Sequence, residues 1–285
     1  LTAKVLDGRA LAKEMKGELA GQAAEFTETH GFAPTLALVR GGEDPASVSY
    51  AKVIKKNCEA IGLGFSAHTL PETASEAEMV ELVANLSGDA SVHGIIIQEP
   101  LPEAVGSAAV LDALAPEKDV DGVHPTNAGR LMQGEGHYFV PATPAGGMEI
   151  LHRNEIPLKG KRAIVVGRSN IVGKPIAFLL LHQHATVTMC HSRTVPLGEV
   201  TKEADILVAA VGKPRIITAD MVKPGAVVID FGMNFVDGKM VGDVDYEAVA
   251  EVASAITPVP GGTGPATNVM LARNTVEAAA WQVKS

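Results

Sequence analysis

The chain has 285 residues, 46% apolar and 20% charged, which fits an ordinary globular protein long enough for about two domains. With 24 basic against 33 acidic residues the net charge is −9, and no basic block stands out, which argues against a nucleic-acid partner. No apolar run approaches the roughly 20 residues that span a bilayer. The opening Leu1-Thr2-Ala3-Lys4-Val5 has no signal-peptide core, and Cys58 and Cys190 cannot build a disulfide framework; a cytoplasmic setting with no membrane partner is expected.

Leu11, Met15, Leu19, Gln22 and Phe26 recur at helical spacing and predict an amphipathic helix that Gly31 ends. The run from Thr35 to Val39 reads as a buried strand. Asp44 then offers an N-cap and Pro45 a first helical residue, for a helix running to about Ile61. Gly64 to Leu70 reads as a strand, and Ser75-x-x-Glu78 is a capping box that starts another helix. His93 to Gln98 reads as a buried strand stopped by Pro100 and Pro102. This alternation predicts a parallel α/β sheet. Residues 119–144, rich in Gly, Pro and polar side chains, read as loop and domain junction. A second α/β run has strands at Arg162 to Gly167, Ala185 to Cys190, Asp205 to Val211 and Ala226 to Asp230, with its clearest helix from Gly173 to His184. Ile256 to Pro265 reads as a Pro/Gly loop and Ala266 to Gln282 as a last helix.

The segment Ala163 to Pro175 runs strand, glycine turn, helix, and N–H groups at such a helix start can hold phosphate. Gly167 and Gly173 are spaced Gly-x5-Gly rather than G-x-G-x-x-G, so a plain βα turn is an open alternative. An NAD site usually places an acid about 20 residues on, to bind the ribose 2′-OH. Here Thr188-Met189-Cys190-His191-Ser192-Arg193 holds none. Arg193, with Arg168 and Ser169, suits a 2′-phosphate, which favours NADP over NAD. His182, His184, Cys190 and His191 lack a finger-type spacing, so no metal is expected.

Several segments together resemble one family, the methylenetetrahydrofolate dehydrogenase/cyclohydrolases. They include Leu6-Asp7-Gly8, Asp44-Pro45-Ala46-Ser47 with Tyr50, Gly94 to Gln98, Lys118-Asp119-Val120-Asp121-Gly122 and His124 to Leu131. Thr143-Pro144, Val166 to Ser169, Cys190 to Thr194 and Thr257 to Gly262 continue the match in order along nearly the whole chain. The resemblance implies two α/β domains, the second a Rossmann-like doubly wound parallel sheet, with a folate cleft between them. It implies a folate-binding catalytic domain at residues 1–142 plus 267–285 and an NADP-binding domain at 143–266. A homodimer through the nucleotide domains is implied as well. The implied chemistry is hydride transfer from 5,10-methylenetetrahydrofolate to NADP, then hydration of the methenyl cation to 10-formyltetrahydrofolate. Tyr50, Gln98 and Asp121 take the family's folate-site positions, and Pro260, Gly261 and Gly262 a further folate contact. Gly167, Arg168, Ser169, Ser192, Arg193 and Met233 take cofactor-binding positions, Met233 standing where isoleucine is common.

One departure bears on the chemistry. The family carries lysine four residues after the tyrosine; here that position is Ile54, and Cys58 stays in register. On a helical wheel Tyr50, Val53, Ile54, Cys58 and Ile61 form an apolar stripe, while Lys52, Lys55 and Lys56 occupy the opposite face. Hydride transfer needs close positioning and no side-chain proton. Hydrating the cation needs proton management, which isoleucine cannot supply. A dehydrogenase with weak or absent cyclohydrolase activity is expected, the alternatives being a fully bifunctional enzyme that yields 10-formyltetrahydrofolate and a catalytically silent folate- or nucleotide-binding paralogue.

Overall fold

The computed structural model describes residues 2–284. Residues 1 and 285, the outer limits of the expected folate domain, lie outside that range. The chain opens with β1 (Lys4–Val5) and α1 (Gly8–His30), then alternates β2 (Thr35–Gly41), α2 (Pro45–Ile61), β3 (Gly64–Leu70), α3 (Glu76–Gly88), β4 (Gly94–Gln98) and α4 (Ser107–Asp112). Helices α5 (Pro125–Gln133) and α6 (Ala142–Arg153) lead to β5 (Arg162–Val166), α7 (Gly173–His182), β6 (Thr186–Cys190), α8 (Leu197–Thr201), β7 (Ile206–Ala209) and β8 (Val227–Asp230). A hairpin of β9 (Asn234–Val236) and β10 (Lys239–Val241) precedes α9 (Tyr246–Ala250), β11 (Ala255–Ile256) and α10 (Thr263–Gln282).

The chain forms two compact units. One comprises Glu14–Ala142 and residues from Asn268 onward; the other comprises residues up to Lys13 with Thr143–Thr267. The first holds a parallel three-stranded sheet, β3-β2-β4. Ala37, Val39 and Ile95 on one face of it pack with Met79, Val83, Val110 and Leu114. α10 closes this unit: Asn274 donates to the carbonyls of Val120 and Val140, and Gln282 to that of His93. The second unit holds a parallel six-stranded sheet in the order β1-β11-β8-β7-β5-β6. Its core joins Ile164, Leu207, Val228 and Ile256 to Ile217, Val244 and Val249. Residues 2–13, expected with the folate domain of residues 1–142, pack here with the six-stranded unit, where β1 is an edge strand paired with β11.

Local signals explain most elements. Asp44 caps α2 by accepting from Ser47 N at 2.8 Å, with Pro45 beside it in the first turn. The capping box on α3 closes in both directions between Ser75 and Glu78. Other expectations are corrected. Gln22 is exposed and Ala23 takes its place on the buried stripe of α1, since the apolar residue continues the spacing from Leu19 at lower desolvation cost. The expected 119–144 loop contains α5: Pro125 sits at its first turn after the His124 cap, and Gly134 ends it in the left-handed region at φ 72°. α10 begins at Thr263, inside the expected loop, because Pro265 falls in its first turn, where no amide hydrogen bond is lost.

Candidate functional site

In the three-stranded unit, α2 carries the candidate residues Tyr50 and Ile54 one turn apart. Ser47, Ile54, Asn57, Cys58 and Ile61 form its buried face, with Ile54 only 2% exposed. Tyr50 and Val53 do not belong to that face as expected: they are 37% and 43% exposed, at the edge of the stripe. Lys52, Lys55 and Lys56 are exposed on the opposite side, and Lys55 lies 3.8 Å from Glu59. A lysine from α1 does reach α2, but Lys16 Nζ donates to Asn57 Oδ1 at 2.6 Å, three residues beyond Ile54.

Gln98 ends β4 and is buried. Its Nε2 donates to the Ser47 carbonyl in the first turn of α2 at 2.8 Å, which ties the end of the strand to the helix that bears Tyr50. Asp121 lies in the turn after the bridge of Asp119 to Ile95. Burial, reinforced by the charge of Asp119, pushes the Asp121 carboxyl up to about 7. Burial, with the charge of Asp121 adding to it, pushes the Tyr50 phenol up to about 12. Both shifts favour the neutral form, so Tyr50 keeps its proton and the Asp121 carboxyl is held well above the usual carboxylate range.

Asp119 holds this turn and was not a candidate from sequence. Fully buried, it accepts from Val123 N at 3.1 Å, His124 N at 2.7 Å and Asn127 Nδ2 at 2.8 Å. Burial raises its pKa while these three donors oppose the rise. Gly122 follows at φ 67°, where an added Cβ would meet Pro141 N at 2.5 Å.

In the six-stranded unit, β5 pairs with β6 on one side and β7 on the other, so the order reverses at its carboxyl end. Open α/β sheets bind ligands at such a switch point. Gly167 leaves β5 at φ 138°, and a Cβ there would sit 2.2 Å from the Ala210 carbonyl oxygen. A Cβ on Gly173 would sit 2.7 Å from Arg168 N. These glycines let the backbone pass close to the start of α7, where Ser169 Oγ accepts from Val172 N and Gly173 N at 3.1 and 3.2 Å. Gly167 N donates to the Cys190 carbonyl at 2.9 Å, which sets the Arg168-Ser169 turn beside the loop after β6. In that loop His191 Nδ1 accepts from Arg193 N at 3.2 Å, and Ser192 and Arg193 are exposed.

Met233 is 70% exposed in the loop after β8, and two buried aspartates missed in the sequence fix the surrounding loops. Asp243 accepts from Val211 N, Gly212 N and Lys213 N at 2.6, 3.0 and 2.9 Å, and from Asn234 Nδ2 at 2.9 Å. Asp230 accepts from Gly232 N, Asp243 N and Val244 N; burial nevertheless pushes its carboxyl up to about 6. Pro260, Gly261 and Gly262 belong to this unit rather than to that of Tyr50. Gly261 has φ 115°, and a Cβ on Gly262 would lie 2.6 Å from the Pro258 carbonyl oxygen. Among the described residues no cluster of three or more His, Cys, Asp or Glu could hold a metal, and no helix is long and apolar enough to cross a membrane.

The tetrahydrofolate dehydrogenase/cyclohydrolase catalytic domain matches residues 6–121, and the NAD(P)-binding domain of the same family matches residues 141–283. The bifunctional protein FolD of Roseiflexus sp. (strain RS-1) is 56% identical over 286 residues, covering 100% of this chain and 99% of its own. The crystal structure of the bifunctional enzyme FolD, methylenetetrahydrofolate dehydrogenase/cyclohydrolase, from Campylobacter jejuni is 42% identical, with TM-score 0.96 over 98% of this chain and 99% of that one. The Trypanosoma brucei methylenetetrahydrofolate dehydrogenase-cyclohydrolase, solved with NADP cofactor and inhibitor, is 35% identical, with TM-score 0.94 over 100% of both chains. On its two matched domains and its end-to-end likeness to these proteins, the chain belongs to the tetrahydrofolate dehydrogenase/cyclohydrolase family.

Proposed function

We propose that this chain transfers a hydride from 5,10-methylenetetrahydrofolate to NADP in one-carbon metabolism, with a cyclohydrolase step that is weak or absent. The carrying observation is the pairing of an intact folate constellation with a buried Ile54. Tyr50, Gln98 and Asp121 remain, whereas the position one turn after Tyr50 carries no titratable group. Asp121 anchors the pterin as acceptor, Tyr50 shapes the pocket wall, and Gln98 orients the reacting region. Pro260, Gly261 and Gly262 supply further folate contacts on the family pattern. The hydride step leaves a delocalised methenyl cation and asks for positioning rather than proton transfer.

The six-stranded unit fits the nucleotide. A Cβ at Gly167 or Gly173 would fill the close backbone passage described above, and Ser169 organises the start of α7. Gly167, Arg168 and Ser169 hold the phosphates, Ser192 and Arg193 the 2′-phosphate, and Met233 borders the nicotinamide. When bound, NADP supplies the hydride acceptor. A homodimer and a cytoplasmic location follow on family grounds.

The test supplies methylenetetrahydrofolate with NADP and follows NADPH, then supplies methenyltetrahydrofolate and follows its loss against the uncatalysed rate. NADPH formation with hydrolysis near background is expected. No NADPH formation refutes the dehydrogenase reading. Hydrolysis as fast as hydride transfer refutes the weak second step and makes the enzyme fully bifunctional.

A further inference from the structure

Three buried side-chain polar atoms of the three-stranded unit have no hydrogen-bond partner among the described residues: Oδ1 of Asn268 on α10, and, at the sheet, Nη1 of Arg40 and Oε1 of Gln98. The last two belong to paired positions of adjacent strands, Arg40 on β2 and Gln98 on β4. Paired residues in a parallel ladder carry their side chains on the same face of the sheet. Both lie at the carboxyl ends of their strands, where α/β sheets take ligands.

The other polar atoms of the two side chains are committed. Arg40 Nε donates to Thr69 Oγ1 at 2.9 Å, and Nη2 donates to both carboxylate oxygens of Glu43 at 3.1 and 3.0 Å. The arginine side chain is only 11% exposed. Gln98 Nε2 donates to the Ser47 carbonyl, which can only accept; this fixes which end of the amide is the nitrogen and leaves Oε1 as the uncommitted acceptor. A buried donor and a buried acceptor are costly to leave unmatched. An oxygen carrying its own hydrogen matches the chemistry of both, since it can accept from Arg40 and donate to Gln98.

We propose that Arg40 and Gln98 together hold the water that hydrates the methenyl carbon, with Arg40 as the water-positioning residue of a slow hydrolysis. The proposal rests on the folate reading given above and commits that reading to weak rather than absent hydrolysis. The water oxygen forms a bond to the methenyl carbon and its proton leaves to bulk water. The bond from that carbon to N5 then breaks, its electron pair stays on N5, and N5 takes a proton from solvent. The hydroxyl gives up its proton to solvent and becomes the formyl oxygen. One water is consumed and one proton released overall. Neither a guanidinium nor an amide can keep that proton. A fixed positive charge favours the step that discharges a cationic substrate. Arg40 thus orients the nucleophile without replacing the missing proton carrier.

The test combines crystallography and kinetics on the wild-type protein, Arg40→Met and Arg40→Lys. The wild-type crystal structure is expected to show one ordered oxygen within hydrogen-bond distance of Nη1 and Oε1, and Arg40→Met is expected to lose it. The ratio of methenyltetrahydrofolate hydrolysis to NADPH formation should fall roughly tenfold in Arg40→Met, less than the ~10²–10⁴ of a full acid–base group. Arg40→Lys, which keeps the charge without the fork, should recover part of the ratio. A general loosening of the pocket lowers both reactions and does not move the ratio. Nη1 bonded to a protein carbonyl, an unmoved ratio, or wild-type hydrolysis at background each overturns the proposal. Absence of NADPH formation would instead overturn the folate reading, and the oxygen between Arg40 and Gln98 would then be judged from the electron density.

Discussion

Ile54→Lys is the perturbation that most directly tests why the second reaction is slow. Ile54 is 2% exposed, so replacing it forfeits about 1.5–3 kcal/mol of apolar burial. The four-carbon stem of lysine recovers part of this by lying along the same apolar surface. The net cost, about 1–3 kcal/mol, is tolerable for a domain with a margin of about 5–15 kcal/mol. The gain is set by acid–base catalysis at ~10²–10⁴-fold, and each tenfold is about 1.4 kcal/mol off the barrier. Hydrolysis of methenyltetrahydrofolate should therefore rise by roughly two orders of magnitude or more. NADPH formation should slow, because an ammonium opposes the developing cation. Ile54→Met has similar volume and no proton to exchange, so it should show neither change. The assay is single-enzyme hydrolysis beside the dehydrogenase rate, with thermal melts to confirm folding. A folded, dehydrogenase-active Ile54→Lys protein with unchanged hydrolysis would refute the reasoning.

Asp121, held up at about 7, should make folate affinity rise as pH passes through that value, because the carboxylate is the stronger acceptor for pterin N–H groups. Its contribution to stability has the opposite sign: it is full below the ordinary value of 3.8 and is lost as pH rises through about 7. Asp121→Asn should remove both inflections, and a pH series of KM with urea melts checks them. Arg193→Ser should weaken NADP binding by about 1.5–3 kcal/mol, roughly 10- to 100-fold, and leave NAD binding nearly unchanged; equal losses for the two nucleotides would count against a 2′-phosphate contact. Asp243→Ala would strand three backbone N–H groups and the Asn234 amide, so urea denaturation should show a loss of about 3–5 kcal/mol, and a loss below about 1 kcal/mol would mean that water replaces the carboxylate.

The parts of the fold legible in sequence are those whose causes are local. Asp44-Pro45 and Ser75-x-x-Glu78 specify their helix starts within four residues, and the uninterrupted apolar runs of β2 and β4 declare strands buried on both faces. α5 was also within reach, since Pro125 and Gly134 are start and stop signals in a stretch otherwise dominated by loop composition. So was the β9–β10 hairpin, whose Asp237-Gly238 turn has both residues at positive φ. β1 and β11 could not be read, because two-residue strands exist only through their pairing. The site divides the same way. Tyr50 and Ile54 follow from helix spacing and a family pattern, as do the glycines of the nucleotide turn. Asp243 draws its backbone donors from residues 30 to 32 positions earlier, and Arg40 and Gln98 become neighbours only through strand register, so neither leaves a mark in local sequence.

The register of Lys4 with Ala255 has a consequence for the protein's birth. Lys4 is synthesised about 250 residues before Ala255, the partner it waits for. At ribosomal rates of about 5–20 residues per second, that wait is on the order of tens of seconds. The three-stranded unit waits as well, since Asn274 and Gln282 of α10 supply bonds to Val120 and His93. The six-stranded unit therefore cannot finish folding before β11 emerges, nor the three-stranded unit before α10 does. A polypeptide stopped short of β11 keeps Val227 and Val228 on an unpaired edge, a template for aggregation. Translation interrupted in that interval thus yields a chain marked by an open strand, and chaperone dependence should fall mainly on the interval between β8 and β11.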